Sequence, residues 1–351
     1  MRTYLDWNAT TPLRPEVKAA ITEALEISGN PSSVHTEGRA AKMALERARE
    51  QVAVALGADG ADVVFTAGAT EAAAMVLGQG GFHCAPVEHS AVKVWCEADL
   101  AVDGDGIVTV TDPARTSLQL ANNETGVMQD LPQGLHSSDL TQAFGKVPMA
   151  FNWLGVTAGF VSAHKLGGPK GIGALILKKG TDLPPLIKGG GQEQGRRAGT
   201  ENLIGILAFA AAATAAQRDL DAGLWDAVRE RRDALEARIC DIAPGAVIVG
   251  KAVHRLPNTT CLLTSGWKGE TQVMQMDLAG FAISAGSACS SGKVRASGAL
   301  QAMGFDDQLA QSAIRISISP AVGDDQINRF ADAWEKAYSR WRDRNGPTAA
   351  I

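Results

Sequence analysis

Short apolar segments that alternate with helical patterns place the strongest limit on how this chain can fold. Helices are predicted over 15–27 and 36–56, where apolar residues recur at helical spacing, and again after residue 71 and from residue 88. Because parallel strands need a crossover connection, most often a helix, this order predicts a mainly parallel, doubly wound α/β sheet. The segments that read as strands are 62–66, 82–85, 107–110, 117–120, 157–161 and 171–177.

The chain has 351 residues, which is long enough for two domains. A long helical pattern from 202 to 239 is interrupted near 219–223, and we predict a domain boundary there. The large domain is expected to cover 13–220, with residues 1–12 and 221–351 forming a smaller α+β domain. In that second part the segments 259–264, 271–278, 282–284 and 314–319 alternate before a closing helix.

Composition and charge argue against several classes of function. The formal net charge is −5, from 33 basic and 38 acidic side chains, and gives no basic surface for nucleic acid. No apolar run approaches the roughly 18 residues that cross a bilayer, and the first residues lack a signal-peptide pattern. The five cysteines form no CxxC pair, so reduced thiols in a cytoplasmic protein are expected. The sequence contains no zinc or iron–sulfur ligand spacing, so no metal is expected.

The segment from Ser162 to Gly171 carries the strongest chemical signal. Lys165 follows an apolar strand and precedes glycines that permit close approach of a ligand, which is where an α/β sheet presents groups at its carboxyl edge. An amine that is partly removed from water has a lowered pKa and can attack a carbonyl. Ser162 and His164 add hydrogen-bond donors suited to an anion such as a phosphate. Taken alone, the segment is also compatible with a solvated surface turn.

Three further turns can contribute to the same edge. The helix start after Ala69, with the Thr70 hydroxyl, is either an anion site or an ordinary helix cap. His89 lies at a strand-to-helix turn rather than within an apolar face, which suits a pocket position. The glycine-rich segment 189–200 is either a linker or, through Arg196 and Arg197, an anion-contacting loop.

In order and spacing, the motifs of the chain resemble those of the cysteine desulfurases, the NifS/IscS-like pyridoxal-phosphate enzymes of the class V aminotransferase group. The resemblance runs from residue 4 to about residue 320. It implies the type I aminotransferase fold, with a mainly parallel seven-stranded sheet in the large domain and a smaller α+β domain. The segments that carry it are Tyr4-Leu5-Asp6, Ala9-Thr10-Thr11-Pro12, Gly29-Asn30-Pro31-Ser32-Ser33, Phe65-Thr66-Ala67-Gly68-Ala69-Thr70-Glu71, Glu88-His89, Asn122-Asn123-Glu124-Thr125-Gly126, Asp139 with Gln142, Ser162 with His164-Lys165, Arg196-Arg197-Ala198-Gly199-Thr200-Glu201-Asn202, Ser287-Ala288-Cys289-Ser290-Ser291 and Ile314-Arg315.

The resemblance implies that the large domain binds pyridoxal 5'-phosphate. Lys165 would hold the cofactor covalently, and Asp139 would pair with its pyridine nitrogen. His89 would stack on the ring and move protons, because the pKa of histidine lies near neutrality. The other residues implied to bind the cofactor are Ala69, Thr70, Asn123, Gln142, Ser162 and His164, together with Thr200, which would reach the site of the neighbouring subunit in a homodimer.

Cys289 is the residue that distinguishes the reaction of this family. Small, turn-prone residues surround it, so its thiol lies on a segment able to move, and we expect it to have a lowered pKa caused by His89 and the cofactor. The resemblance implies that Cys289, Lys165 and His89 are catalytic. It also implies that Asn8 and Arg315 bind the substrate, L-cysteine. Cys289 would take the substrate sulfur as a persulfide and pass it to an acceptor protein, such as an iron–sulfur scaffold.

Two alternatives remain open. The first is another pyridoxal-phosphate enzyme of the same fold, such as an aminotransferase or a selenocysteine lyase; an aminotransferase would not need Cys289. The second is a catalytically silent sulfur-transfer scaffold, which would not need Lys165, Asp139 and His89 together.

The chain also departs from the family, because the segments 72–82 and 131–139 are shorter than usual and Asn152-Trp153 replaces an acidic or polar run. These departures bear on how a sulfur acceptor docks.

Overall fold

The structure is a computed structural model that describes residues 2–286 and 296–346. The strands are β1 Thr3–Tyr4, β2 Asp62–Thr66, β3 Phe82–Cys84, β4 Cys96–Glu97, β5 Thr116–Ser117, β6 Leu135–Asp139, β7 Val156–Ser162, β8 Gly173–Leu177, β9 Val247–Ile248, β10 Thr259–Leu263, β11 Phe281–Ala282, β12 Ser284–Ala285 and β13 Ile314–Ser317. The helices are α1 Pro15–Ala24, α2 Thr36–Ala55, α3 Ala69–Leu77, α4 Ser90–Lys93, α5 Leu203–Asp221, α6 Leu224–Ile242, α7 Gly269–Leu278, α8 Gly298–Ala302, α9 Asp307–Ala310 and α10 Asp324–Asn345.

The central sheet contains seven strands in the order β2-β8-β7-β6-β5-β3-β4. Strand β8 runs antiparallel to both of its neighbours, and the other strands all point the same way. The predicted mainly parallel, seven-stranded sheet is therefore confirmed. Because the carboxyl ends of the parallel strands meet at one edge, the turns that follow β2, β3, β5, β6 and β7 lie close together there.

Alternate side chains of the central strands pack on opposite faces of the sheet, as a doubly wound fold requires. In β2, Val63 and Phe65 join the core formed with α1, α2 and α5, whereas Val64 joins the core formed with α3. Strand β8 repeats the pattern, with Ile176 on the first face and Leu175 on the second. Both faces of the sheet are thus covered by helices.

Helix α5 corrects the expectation that no apolar segment reaches membrane-spanning length. By length and composition, Leu203–Asp221 could cross a bilayer. Half of that span is buried inside the protein, where Ile206 and Phe209 pack in the core shared with α1 and α2. Its apolar character is therefore that of a core helix.

One predicted strand of the large domain does not form, and one strand of the central sheet was not predicted. Residues 107–110 form no strand beyond a single bridge between Val108 and Val102; they are apolar because Val108 and Val110 pack against the cores beneath them. Conversely, β6 was missed because its sequence, Leu-His-Ser-Ser-Asp, carries little apolar signal. It nevertheless lies inside the sheet, with Ser137 and Ser138 fully buried.

The second part of the chain forms a four-stranded sheet in the order β12-β13-β10-β9, which shares a core with α6, α7 and α10. The amino-terminal β1 pairs with β11, so the first residues join this part of the protein. The long helix predicted over 202–239 is two helices, α5 and α6. Gly223 separates them at φ +69°, a left-handed conformation that glycine adopts at low cost. The predicted domain boundary at residue 220 falls in the last turn of α5.

Candidate active site

A cavity of about 300 Å³ opens at the carboxyl edge of the central sheet, within the size range of ligand pockets. A larger groove of about 660 Å³ between α1, α2 and α5 contains none of the predicted site residues. The smaller cavity brings together most of them, although they come from distant segments of the chain. Its lining residues are Asn8, Ala9, Ala69, Thr70, His89, Ala91, Gln119, Ala121, Asn123, Asp139, Thr141, Gln142, Ser162, His164, Lys165 and Arg315.

Lys165 lies directly beyond the carboxyl end of β7. The strand ends at Ser162, and a single 3-10 turn, Ala163–Lys165, brings the lysine to the cavity. Its Nζ donates to the backbone oxygens of Asn8 at 2.6 Å and Ala9 at 2.9 Å. The amine is therefore held by the amino-terminal segment, and the alternative of a solvated surface turn is excluded.

Asp139 ends the neighbouring strand, β6, and also lines the cavity. Its Oδ1 accepts the backbone N–H of Thr141 at 2.9 Å, which fixes the carboxylate. Its Oδ2 accepts no hydrogen bond from the residues that the structure describes. One turn further on, Gln142 Nε2 donates to the backbone oxygen of Asn8 at 3.0 Å. The carboxylate thus keeps an oxygen available for a cationic or N–H partner in the cavity.

His89 caps the short helix α4, and this contact fixes its tautomer. Its Nδ1 accepts the backbone N–H of Ala91 at 3.1 Å, so the proton of the neutral ring is on Nε2. Burial lowers the pKa of His89, while the charge of Asp139 opposes that shift. The ring therefore presents its Nε2–H to the cavity as a hydrogen-bond donor.

The side chains predicted to bind a phosphate form one corner of the cavity. Ser162 Oγ accepts the backbone N–H of Ala69 at 2.8 Å, where α3 begins, and Thr70 beside it is exposed. His164 Nδ1 lies 3.1 Å from Thr10 Oγ1, and burial together with Lys165 lowers the pKa of His164 to about 4. His164 is therefore neutral and acts through hydrogen bonds rather than charge.

Arg315 and Asn8 close the side of the cavity that faces the second part of the chain. Arg315 Nη2 donates to Asp6 Oδ1 at 2.7 Å and Nη1 to the backbone oxygen of Asn123 at 3.1 Å. Its Nε is buried with no hydrogen-bond partner in the described segments. Asn8 is 1% exposed, and its Nδ2 donates to Thr259 Oγ1 at 2.9 Å. Both side chains are thus engaged in protein contacts, and of the two Arg315 alone brings a positive charge to the cavity for a substrate carboxylate.

Thr200 is the one described residue of the predicted site that does not line this cavity. It lines a separate cavity of about 250 Å³, together with Phe65 and Arg197. Both neighbouring arginines are engaged in ion pairs with the large domain, Arg196 with Asp62 at 2.7 Å and Arg197 with Glu71 at 2.9 Å. The loop is anchored to the large sheet and is not a linker.

Cys289 lies outside the described residues. The other four cysteines are unpaired, and they differ in burial. Cys84 and Cys261 are buried. Burial raises the pKa of Cys261 to about 12. The pKa of Cys84 is raised by its hydrogen bond with Cys96 and by burial. That same hydrogen bond lowers the pKa of the half-buried Cys96. None of the four lines the active-site cavity.

Sequence reasoning missed several groups in or behind the cavity. Gln119 and Thr141 line it; Gln119 lies within the predicted strand 117–120, and Thr141 lies between Asp139 and Gln142. Glu88 is buried behind His89, where its Oε1 accepts the backbone N–H of Gln119 at 2.6 Å and burial raises its pKa. Lys146 is fully buried beside Gln142, and no sequence pattern marked it.

A possible metal cluster, away from the cavity, was also missed. His83, Glu97 and Asp99 place one ligand atom each within 4.8 Å of one another at the β3–β4 edge of the sheet. The cluster was not visible as ligand spacing because His83 lies in β3, whereas Glu97 lies in β4 and Asp99 just after it. His83 and Asp99 form an ion-pair contact at 3.0 Å, and two of the three residues are exposed.

The fold and the cavity define the class of protein. The cavity contains a partner for each reactive group of pyridoxal 5'-phosphate. Its amine matches the aldehyde, and its carboxylate matches the ring nitrogen. The hydroxyl and imidazole donors at the helix start match the phosphate. The free Asp139 oxygen and the exposed Thr70 hydroxyl leave those groups available to it. The chain is a pyridoxal-phosphate enzyme of the type I aminotransferase fold.

Comparisons with known proteins identify the family. The family model described as aminotransferase class-V matches residues 3–93 and 109–330. A cysteine desulfurase of Cereibacter sphaeroides is 38% identical over 94% of this chain and 94% of that protein. The solved structure of a NifS-like protein from Rickettsia africae has a TM-score of 0.87 and 30% identity over 97% of this chain and 100% of that chain. The structure of SspA in complex with cysteine has a TM-score of 0.74 and 25% identity over 91% and 99%. The chain belongs to the class-V aminotransferase family and, within it, to the cysteine desulfurases.

Proposed function

We propose that this protein removes sulfur from L-cysteine, giving L-alanine and a persulfide on Cys289 that is passed to an acceptor protein. The observation that supports this most strongly is that Lys165, Asp139 and Arg315 line a single cavity. They provide an amine for attachment of the cofactor, a carboxylate for its ring nitrogen and a guanidinium for the carboxylate of an amino acid.

Each residue of the cavity has a distinct task in the reaction. Pyridoxal phosphate, when bound, supplies an electron sink for negative charge that develops at the substrate Cα. Asp139 keeps the ring nitrogen protonated through its negative charge. His89, with its Nδ1 already occupied, presents its Nε2–H to the cavity and can donate a hydrogen bond to a group bound there. Arg315 holds the substrate carboxylate and so orients the bonds at Cα.

The sulfur-transfer step belongs to Cys289. Its thiolate attacks the sulfur of the substrate, so that an S–S bond forms while the Cβ–S bond breaks. The electron pair of the broken bond remains on Cβ, which takes up a proton and becomes the methyl group of alanine. The persulfide left on Cys289 then carries the sulfur to the acceptor.

Product analysis tests the proposed reaction. The purified protein should be yellow and should convert L-cysteine to equal amounts of alanine and, in the presence of a thiol reductant, sulfide. A keto acid in place of alanine would identify an aminotransferase, and activity on selenocysteine alone would identify a selenocysteine lyase. A yellow protein that forms no product at all would identify a silent relative.

Borohydride reduction followed by peptide mapping tests the attachment of the cofactor. The label is expected on Lys165, because its Nζ lies in the cavity beside Asn8. Lys170, five residues further on and exposed, provides the matched control. Lys165→Ala should lose the yellow colour and the label, whereas Lys170→Ala should keep both. A label on Lys170 would contradict the assignment.

We also propose a homodimer in which Thr200 completes the phosphate corner of the neighbouring subunit. This is supported by the position of Thr200, which lines a cavity separate from the active site of its own chain. Mixing Lys165→Ala protomers with Thr200→Ala protomers tests it, since each mixed dimer would contain one intact site. Activity should rise above that of either variant alone. A fully active monomer in light scattering would contradict the proposal.

The acceptor and the compartment are proposals as well. We propose an acceptor protein such as an iron–sulfur scaffold and a cytoplasmic location, the latter supported by four unpaired thiols in the described chain. Trp153 is 85% exposed in the segment that departs from the family pattern, and it offers an aromatic contact to a partner. Sulfide release measured with and without candidate scaffolds, for the wild type and Trp153→Ala, tests this contact.

A further inference from the structure

Lys146 is a lysine buried behind the active site without a counter-charge. Its residue is 2% exposed, and its Nζ donates to Gln142 Oε1 at 2.6 Å and to Asn8 Oδ1 at 3.0 Å. Both acceptors are neutral amide oxygens. The charged groups acting on it within the described chain are Lys165 and Arg315, which are both cationic. A buried lysine in such surroundings needs a physical explanation, because an unpaired buried charge is costly.

The contacts agree with a neutral amine at this position. An ammonium has three N–H donors, whereas a neutral amine has two. The two acceptors in contact with Nζ match the two donors of the neutral form. Burial lowers the pKa of Lys146 well below its usual value, and the nearby charges of Lys165 and Arg315 lower it further. A lowered pKa also favours the neutral amine.

Lys146 holds two amide side chains that other contacts orient as well. It donates to Gln142 Oε1, and Gln142 turns Nε2 towards the backbone oxygen of Asn8, at 3.0 Å. It also donates to Asn8 Oδ1, which accepts a second bond from Asn258 Nδ2 at 3.1 Å, while Asn8 Nδ2 donates to Thr259 Oγ1 and to the backbone oxygen of Asn123. If the Gln142 amide were flipped, its oxygen would face the Asn8 carbonyl oxygen, and the Lys146 amine would lose one of its two acceptors.

The Asn8 backbone oxygen connects this arrangement to Lys165. It accepts from Gln142 Nε2 and, at 2.6 Å, from Lys165 Nζ. We propose that Lys146 is a positioning residue, which holds the amides of Gln142 and Asn8 in place and thereby fixes the carbonyl oxygen that holds the Lys165 amine. The inference rests on the proposed role of Lys165 as the cofactor lysine.

A pH titration of the visible absorbance of the holoenzyme tests the proposal, because its midpoint reports the proton on the nitrogen that links Lys165 to the cofactor. Lys146→Met should move the midpoint by about half a pH unit or more, the size expected when a hydrogen-bond arrangement around one protonation state is lost. Lys336→Met, an exposed lysine on α10, is the matched control and should leave the midpoint unchanged. A purely structural role would lower stability without moving the midpoint.

A double-mutant cycle determines whether Lys146 acts through Gln142. The shift caused by Lys146→Met should be at most about half as large in a Gln142→Met background as in the wild type, because contacting residues do not act additively. Equal shifts in the two backgrounds, or no shift in Lys146→Met, would overturn the proposal. If the wild type itself holds no cofactor on Lys165, the proposed function fails and this inference fails with it. A yellow wild type with an unmoved Lys146→Met midpoint overturns the inference alone.

A measurement on the wild type covers the case in which Lys146→Met does not fold. Carbon NMR of the lysine Cε positions, with ¹³C-labelled lysine, separates neutral amines from ammonium groups. Besides the signal of Lys165, one lysine should show the neutral form at pH 7 to 8 and should titrate well below the exposed lysines. The absence of such a neutral lysine would overturn the proposal, because an ammonium would leave one donor unmatched.

Discussion

Arg315 Nη2 donates to Asp6 Oδ1 at 2.7 Å, in an ion pair whose arginine side chain is 3% exposed. The pair joins β13 of the small sheet to the amino-terminal segment, and Nη1 adds a bond to the backbone oxygen of Asn123 at the carboxyl edge of the large sheet. The guanidinium is therefore fixed between the two parts of the protein. Arg315 also lines the active-site cavity, so its guanidinium is a fixed cationic group beside the space for an incoming carboxylate.

Arg315→Lys should raise the KM for L-cysteine by roughly 10- to 100-fold while the cofactor content stays the same. A lysine keeps the charge but loses the planar donor set, and the loss of one or two charge-assisted hydrogen bonds corresponds to about 1.5–3 kcal/mol. Steady-state kinetics on the yellow holoenzyme measure it. Arg229→Lys, at an exposed ion pair with Asp226, is the control and should leave KM unchanged. An unchanged KM for Arg315→Lys would show that another group holds the substrate.

Asp139→Asn should retain the cofactor but lose turnover by about 100-fold or more, the size seen when one electrostatic group is removed from an active site. The amide can still accept the Thr141 N–H that fixes the side chain. It cannot supply the negative charge that keeps a ring nitrogen protonated. Absorbance and alanine production are the measurements, with Asp343→Asn on the exposed face of α10 as the control. Near-normal alanine production would assign the role to another carboxylate.

The stability of the protein should rise with pH through Lys146. Burial lowers the pKa of its amine in the folded state well below 10.5, so the unfolded chain binds more protons between the folded pKa and that value. The free energy of unfolding contributed by Lys146 therefore increases with pH across this window, by at most ~1.4 kcal/mol per pH unit.

Denaturant unfolding of the wild type and Lys146→Met at pH 7, 8 and 9 measures this effect. The difference in unfolding free energy between the two proteins should grow in favour of the wild type as the pH rises, because the methionine does not titrate. Lys336→Met should show a constant difference. A constant difference for Lys146→Met would mean that Lys146 is charged in the folded protein.

Much of the site could be predicted from sequence because its residues directly follow strands. Lys165 comes after an apolar run, and Thr70 and His89 stand at strand-to-helix turns, so local pattern was enough to place them at one edge of the sheet. Asp139 depended on the family resemblance alone. Its strand, β6, is rich in polar residues, and the pairing that makes it a strand comes from β5 and β7 rather than from its own composition.

Lys146 could not be predicted, for a different physical reason. Its partner Asn8 lies 138 positions away in the chain, and local sequence gives no sign of that contact. A lysine after Gly145 reads as a surface residue, because lysine is almost never fully buried. Only the folded arrangement shows that two amide oxygens meet its amine. The contact of the Asn8 side chain with Thr259, 251 positions away, was hidden for the same reason.

The central claim is that Cys289 receives the sulfur of L-cysteine, and peptide mass spectrometry after a brief incubation with L-cysteine tests it most directly. Cys96 is the comparison thiol, because the pKa of Cys96 is lowered whereas those of Cys84 and Cys261 are raised. We predict one added sulfur atom on the peptide that contains Cys289, its loss in Cys289→Ser, and its retention in Cys96→Ser. An added sulfur on Cys96 or another described cysteine, with none on Cys289, would contradict the account.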